Sequence, residues 1–177
     1  MDTDQSREAT LAEEVARLRA ELVRVEREAT LDALTGCLNR RGWTRFLRSE
    51  ERRCRRHDLD AVVVVVDLDG LKAVNDAYGH AAGDRRLIAC ADALRAAVRA
   101  EDAVARLGGD EFAVLAVQTH GDAPQAVAGQ IERQFDVADV RASVGWARRS
   151  RHGDLAGAVT AADRCMLARK GERAEAR

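Results

Sequence analysis

Two short stretches hold side chains that could do chemistry together. In AVVVVVDLDG, Ala61 to Gly70, five valines run straight into Asp67 and Asp69. In RLGGDEF, Arg106 to Phe112, two glycines that let backbone approach a ligand closely are followed at once by Asp110 and Glu111. Carboxylates at the mouth of an apolar strand are costly unless a cation compensates them. A calcium loop starting at Asp67 does not fit, because Leu71 stands where a third oxygen ligand belongs and Tyr78 where a bidentate glutamate should be.

The elements that must position these groups can be read from pattern. Ala61 to Val66 is a run of β-branched residues of the kind found in a strand buried on both faces. Helical patterns cover Trp43 to Asp58, Leu71 to Tyr78 and Asp84 to Ala100, with Gly79 and Gly83 as breaks. Ala103 to Leu107 and Glu111 to Gln118 are apolar runs joined at Gly108-Gly109, a hairpin signal. A helix (Ala123 to Phe135), a strand (Val140 to Ala147) and a last helix (Leu155 to Arg169) follow. This order contains the βαββαβ core of a ferredoxin-like α+β sandwich. In such a sheet the first strand lies beside the hairpin, so Asp67 and Asp110 can face a common point. Hard oxygens around that point suit Mg²⁺, held by one or two carboxylates and by substrate phosphates.

Bulk properties narrow the function classes. The chain has 177 residues, a formal net charge of −1 and 46% hydrophobic residues, enough for one domain with an appendage. Near-neutral charge argues against a general nucleic-acid binder. The cluster RRCRR, Arg52 to Arg56, reads as a solvated helix face. No apolar run approaches membrane-spanning length, and the charged N-terminus does not resemble a signal peptide. Cys37, Cys54, Cys90 and Cys165 lie far apart without a CxxC pair, as expected of reduced thiols in a cytoplasmic protein.

Residues 1–31 carry a seam of Leu11, Val15, Leu18, Leu22, Val25 and Ala29 in alternating steps of four and three. That is a heptad pattern, and it predicts a short two-stranded coiled coil. An amphipathic helix packed on its own domain is the alternative. The helix gives way to a globular domain, residues 32–177, near Thr35-Gly36.

Four motifs in order and register then resemble one family. RLGGDEF is the signature of the GGDEF diguanylate cyclases. DALTGCLNRRG (Asp32 to Gly42) is similar to their entry motif, and DLDGLKAVNDAYGHAAGD (Asp67 to Asp84) to their DxDxFKxxNDxxGHxxGD block. SVGWA (Ser143 to Ala147) and ADRCMLARK (Ala162 to Lys170) resemble the later strand and closing helix. The resemblance implies a palm-like nucleotidyl-cyclase fold that condenses two GTP into cyclic di-GMP and two pyrophosphates. Asp67, the Leu68 carbonyl and Asp110 would bind Mg²⁺, or Mn²⁺ in its place. Asp110 would also accept the proton of the attacking hydroxyl, and Glu111 would support the cluster. Gly108 and Gly109 would leave room for the nucleotide. Lys72 and Lys170 would contact the phosphates; they are the only lysines among 29 basic residues. Asn75 and Asp84 would read guanine, with His80 nearby. Each domain would hold one GTP, so two must face each other as a homodimer, with the N-terminal helix as the tether. RAED, Arg99 to Asp102, matches the family's RxxD site, where the product feeds back as an inhibitor.

Other readings stand beside these. Asn75 could be a polar residue inside a helix, Asp84 the N-cap of the next helix, and Arg99 with Asp102 a side-chain salt bridge at a helix end. A strand ending in DxDG also resembles the haloacid-dehalogenase phosphatases, although Leu71 departs from their pattern and the element order does not suit their parallel sheet. A non-catalytic receptor for cyclic di-GMP, binding through Arg99 and Asp102, is the main rival; intact Asp67, Lys72, Asp110 and Glu111 favour the enzyme. Departures from the GGDEF pattern are Leu71 for a Phe, Leu167 for a Tyr and Ala174, beside Arg173, for an Arg. The segment from Phe112 to Ser143 is short for the family, which predicts that an extra hairpin there is missing.

Overall fold

The computed structural model describes residues 13–19, 21–22, 24–25, 28–117 and 123–175, with backbone only at 123 and 173–175. After an N-terminal helical stretch come α1 (Arg40–His57), β1 (Ala61–Leu68), α2 (Leu71–Tyr78) and α3 (His80–Ala97). Next are β2 (Ala103–Gly108), β3 (Glu111–Val117), α4 (Ala123–Val137), β4 (Ala142–Arg148), a 3₁₀ turn (Arg149–Arg151) and α5 (Leu155–Glu175). The expected order of elements holds. Gly83 does not break a helix; it lies inside α3, which begins at His80. Asp84 is therefore one turn into that helix and is not its N-cap. Helix α1 starts earlier than its apolar pattern because the Asn39 side chain accepts the Gly42 N–H and caps it. Gln118 and Leu11 lie outside the described residues.

The sheet order is β2-β3-β1-β4, with antiparallel pairing throughout. Strand β1 is central and buried along its whole length. Its side chains alternate between two cores, as a strand's must. Val62, Val64, Val66 and Leu68 pack with Leu87, Leu94, Ile131 and Phe135 of α3 and α4. Ala61, Val63 and Val65 pack with Trp43, Cys54, Leu155 and Met166 of α1 and α5. Each buried valine contributes about 1.5–3 kcal/mol. The ferredoxin-like core thus carries α3 and α4 on one face, while α1 and α5 cover the other. Asp67 has the parity of Val63 and Val65 and so falls on the α5 face.

The N-terminal helix ends against the domain. Asn39 Nδ2 donates to the carbonyls of Ala29 and Leu31, and Asn39 N–H to that of Thr30. Val15, Leu18, Leu22 and Val25 of the seam stay exposed, so the helix does not bury it on its own domain. Of the RRCRR cluster, Cys54 is buried while Arg52, Arg55 and Arg56 face solvent.

One charged cluster locks α1 to the start of α5. The Glu51 carboxylate accepts from Arg149 Nη2 at 2.8 Å and Nε at 2.9 Å, and from the Leu155 N–H at 2.9 Å. Hydrogen bonding from Arg149 pulls this carboxyl down to about 2; burial opposes the fall, while Leu155 and Arg55 add to it. A depressed carboxyl stabilises the fold above its unfolded value of 4.5 and loses that contribution as pH falls toward 2. Glu51→Gln should therefore destabilise the protein by about 1–3 kcal/mol at pH 7. In urea denaturation the gap between wild type and variant should close as pH drops through this window.

Candidate active site

The antiparallel register brings the two chemical stretches side by side. Asp67 lies opposite Glu111 on β3 and opposite Ser143 on β4, and the Leu68 N–H donates to the Asp110 carbonyl at 3.0 Å. Asp67 is only 8% exposed. Its Oδ1 accepts from Lys170 Nζ at 2.6 Å, across from the last turns of α5. The hydrogen bond to Asp67 raises the Lys170 ammonium above its ordinary value; burial works against it, and the charges of Asp67, Asp110 and Asp69 add to the rise. Lys170 is thus paired directly with Asp67 and feels the charge of Asp110 and Asp69 from further off. Asp69 Oδ1 accepts from the Ser143 hydroxyl at 3.2 Å, which fixes it at the edge of the same cluster.

Asp110 rides on the turn between β2 and β3. Gly108 (φ 154°) and Gly109 (φ 48°) hold positive-φ conformations that side-chain-bearing residues rarely adopt. Arg106 braces this turn from below. Its Nε and Nη2 donate to the Gly109 carbonyl at 3.1 and 2.8 Å, and its Nη1 to both oxygens of Asp32 at 3.3 Å. Burial works to raise the Asp32 carboxyl. Hydrogen bonds from Thr35 and the charge of Arg106 more than offset it and hold the group below its ordinary value. Arg40 Nε donates to the Leu107 carbonyl at 3.0 Å, and its Nη2 lies 3.8 Å from Glu111.

A second group lies on α2 and α3. Asn75 is half-buried, and its Oδ1 is buried without a hydrogen-bond partner among the described residues. An orphaned acceptor costs about 1–3 kcal/mol, a burden better explained by function than by packing. Gly83 makes the arrangement possible, since a Cβ there would sit 2.0 Å from Asn75 Oδ1. Glycine therefore lets α3 abut α2 at Asn75, and Asp84 is the next residue along α3. His80 and Asp84 are exposed at the start of α3. Lys72 is exposed on the first turn of α2 and, unlike Lys170, forms no ion pair with these carboxylates among the described residues. Among the described residues no three His, Cys, Asp or Glu side chains gather closely enough to hold a metal unaided.

Arg99 and Asp102 occupy the loop between α3 and β2. Their carboxylate–guanidinium pair does not form. Instead Asp102 accepts from the backbone N–H groups of Arg99 (3.0 Å) and Val117 (2.9 Å). That leaves the Arg99 guanidinium exposed at a cleft of about 470 Å³, lined also by Leu31, Phe46, Arg95 and Val104.

Comparison with known proteins agrees with this geometry. The family model described as "Diguanylate cyclase, GGDEF domain" matches residues 29–175. The chain belongs to the GGDEF diguanylate cyclase family. It is 42% identical over 92 residues to a protein named as a probable diguanylate cyclase, DgcC of Escherichia coli, covering 52% of this chain and 25% of that protein. It is 45% identical over 111 residues to the bifunctional diguanylate cyclase/cyclic di-GMP phosphodiesterase MucR of Pseudomonas aeruginosa, covering 63% of this chain and 16% of MucR. The chain thus spans a quarter or less of these relatives. The coiled coil and GGDEF domain of DgcB from Caulobacter crescentus, solved in complex with c-di-GMP, superimposes with a TM-score of 0.85 at 26% identity, covering 95% of this chain and 94% of that one. Among the described residues β3 is followed by α4 and then β4, with no further hairpin.

Sequence reasoning overlooked Asp32, Arg40 and Arg106 as supports of the GGDEF turn. All three stand inside the quoted motifs, but nothing in their spacing shows that residues 74 apart share a hydrogen bond. Arg106→Met should release the turn and leave Asp32 without its cation. Stability should fall by about 1–3 kcal/mol, and hydrogen exchange at the amides of Gly109 and Asp110 should quicken. Unaltered exchange there would mean that the turn holds its shape without Arg106.

Proposed function

We infer that the protein is an active diguanylate cyclase, condensing two GTP into cyclic di-GMP with release of two pyrophosphates. The observation that carries this reading is the register that sets Asp67 opposite Glu111, next to the turn bearing Asp110. The donor types suit a hard divalent cation: Asp67, the Leu68 carbonyl and Asp110 offer oxygen ligands, and the Leu68 N–H bonded to the Asp110 carbonyl keeps the strand end beside the turn. Mg²⁺, or Mn²⁺, held there would neutralise charge on the triphosphate.

This chain's own residues supply the rest. Asp110 accepts the proton from the 3′-hydroxyl of one GTP as that oxygen bonds to the α-phosphorus of the other. The bond from the α-phosphorus to the bridging oxygen breaks, and pyrophosphate leaves. Repetition in the opposite sense closes the ring. Lys170 and Lys72 draw off charge from the phosphates as compact point cations, and Glu111 holds the field of the cluster. Gly108 and Gly109 keep the turn free of side chains where the nucleotide approaches. Asp84 accepts from the N1–H and amino group of guanine, a pairing adenine cannot offer, while Asn75 and His80 complete the base pocket.

Each domain (residues 32–177) holds one GTP, and catalysis takes place between two. The exposed seam of the N-terminal helix supports a homodimer in which a coiled coil over residues 1–31 raises the effective concentration of one domain for the other. Its place is the cytoplasm, where GTP is made and where thiols such as these free cysteines stay reduced. No helix among the described residues is long and apolar enough to cross a membrane. Arg99, with its guanidinium presented at the cleft and Asp102 pinning its loop, binds product and mediates feedback inhibition.

Incubation of the full chain with GTP and Mg²⁺ should yield cyclic di-GMP by chromatography. Asp110→Asn should lower the rate by at least about a hundredfold while the circular dichroism spectrum stays unchanged. Product formation at the wild-type rate in the variant would remove Asp110 from the mechanism. Arg99→Ala should keep the initial rate and lose inhibition by added cyclic di-GMP. Superimposable inhibition curves would reduce Arg99 to a surface residue.

A further inference from the structure

The chain has six aromatic residues, and five of them are packed. Trp43, Phe112 and Phe135 are buried, and Phe46 and Trp146 are half-buried against the two cores. Tyr78 is the exception, at 78% exposed. Its position sets it apart from a stray surface aromatic. It is the last residue of α2, one turn beyond Asn75, and i, i+3 residues are neighbours on a helix surface. A long helical side chain leans back toward the N-terminus, which directs the exposed ring toward the turn that bears Asn75. Gly79 (φ 79°) then joins α2 to α3, and Gly83 lets α3 pack against α2 at Asn75, one residue before Asp84.

The base-reading residues lack one component. Asn75, His80 and Asp84 offer hydrogen bonds to the edge of a purine, and none of the three supplies a large apolar surface for its face. A base held by its edge alone can swing about those bonds. We propose that Tyr78 is the stacking platform for the guanine of the GTP bound in its own domain. This rests on the GTP reading above and adds a positioning residue to it. The ring contributes through its face and not through its hydroxyl, which has no hydrogen-bond partner among the described residues. Stacking is tolerant of base identity, so Tyr78 sets affinity and orientation while Asp84 sets selectivity.

Titration calorimetry on the full-length protein with Mg²⁺ tests this, using α,β-methylene-GTP as the nucleotide and inorganic tripolyphosphate as a probe without a base. Tyr78→Ala should weaken nucleotide binding about tenfold or more, the loss expected for one stacked base. Tyr78→Phe should bind like wild type, and both variants should keep the wild-type affinity for tripolyphosphate. Undiminished nucleotide binding by Tyr78→Ala overturns the stacking role, as does an equal loss for both probes. A wild-type protein that binds tripolyphosphate but gains nothing from the nucleoside overturns the GTP reading itself.

Discussion

The site depends on the register of β1 between its two neighbours. Pairing Asp67 with Glu111 on one side and Ser143 on the other puts the acidic end of the strand against the GGDEF turn and beneath the end of α5. A strand has a period of two, so a slip of one residue would send Asp67 to the face covered by α3 and α4, away from Lys170. The valines prevent that slip. Val62, Val64 and Val66 fill one core while Val63 and Val65 fill the other, and both cores are closed by helices. The stabilisation that holds a buried carboxylate in place therefore comes mainly from the hydrocarbon preceding it. The Lys170 ion pair compensates the charge but does not position the strand.

Helix α1 braces both sides of the acidic cluster. At its first turn Arg40 reaches the Leu107 carbonyl and the neighbourhood of Glu111. At its middle Glu51 joins Arg149 and the first amide of α5, the helix that delivers Lys170. The residue before α1, Asn39, gathers the carbonyls at the end of the N-terminal helix. Asp32, in the same junction, holds the arginine that carries the Gly109 carbonyl. The exit of the helix and the turn under Asp110 are thus parts of one hydrogen-bonded assembly, and neither can shift without loading the other.

Local pattern made most of the elements legible. Helix α2 and the strands that carry the site could be placed to within a residue or two from β-branched runs and glycine punctuation. Where the boundaries differ, a cap or a tertiary contact is responsible: α1 begins early at its Asn39 cap. Gly83 reads as a helix breaker, yet it stays helical because α2 lies against it and leaves no room for a side chain. The spacing of Arg99 and Asp102 suggests a salt bridge, yet Asp102 is taken by the amide of Val117, which no local pattern could announce.

By itself the sequence determined the chemistry on offer: which carboxylates, lysines and polar side chains exist, in what order, and on what kind of element. These are properties of residue type and of short periods, which act over a few positions along the chain. Tertiary structure alone decided which of them meet. It brought Lys170 to Asp67 across 103 positions and left Lys72 in solvent, and it joined Arg106 to Asp32 across 74. It also packed five aromatics and left Tyr78 outside. Such choices follow from how sheet and helices close over shared cores, where burial of apolar surface sets the backbone first and polar groups pair with whatever that closure brings within reach.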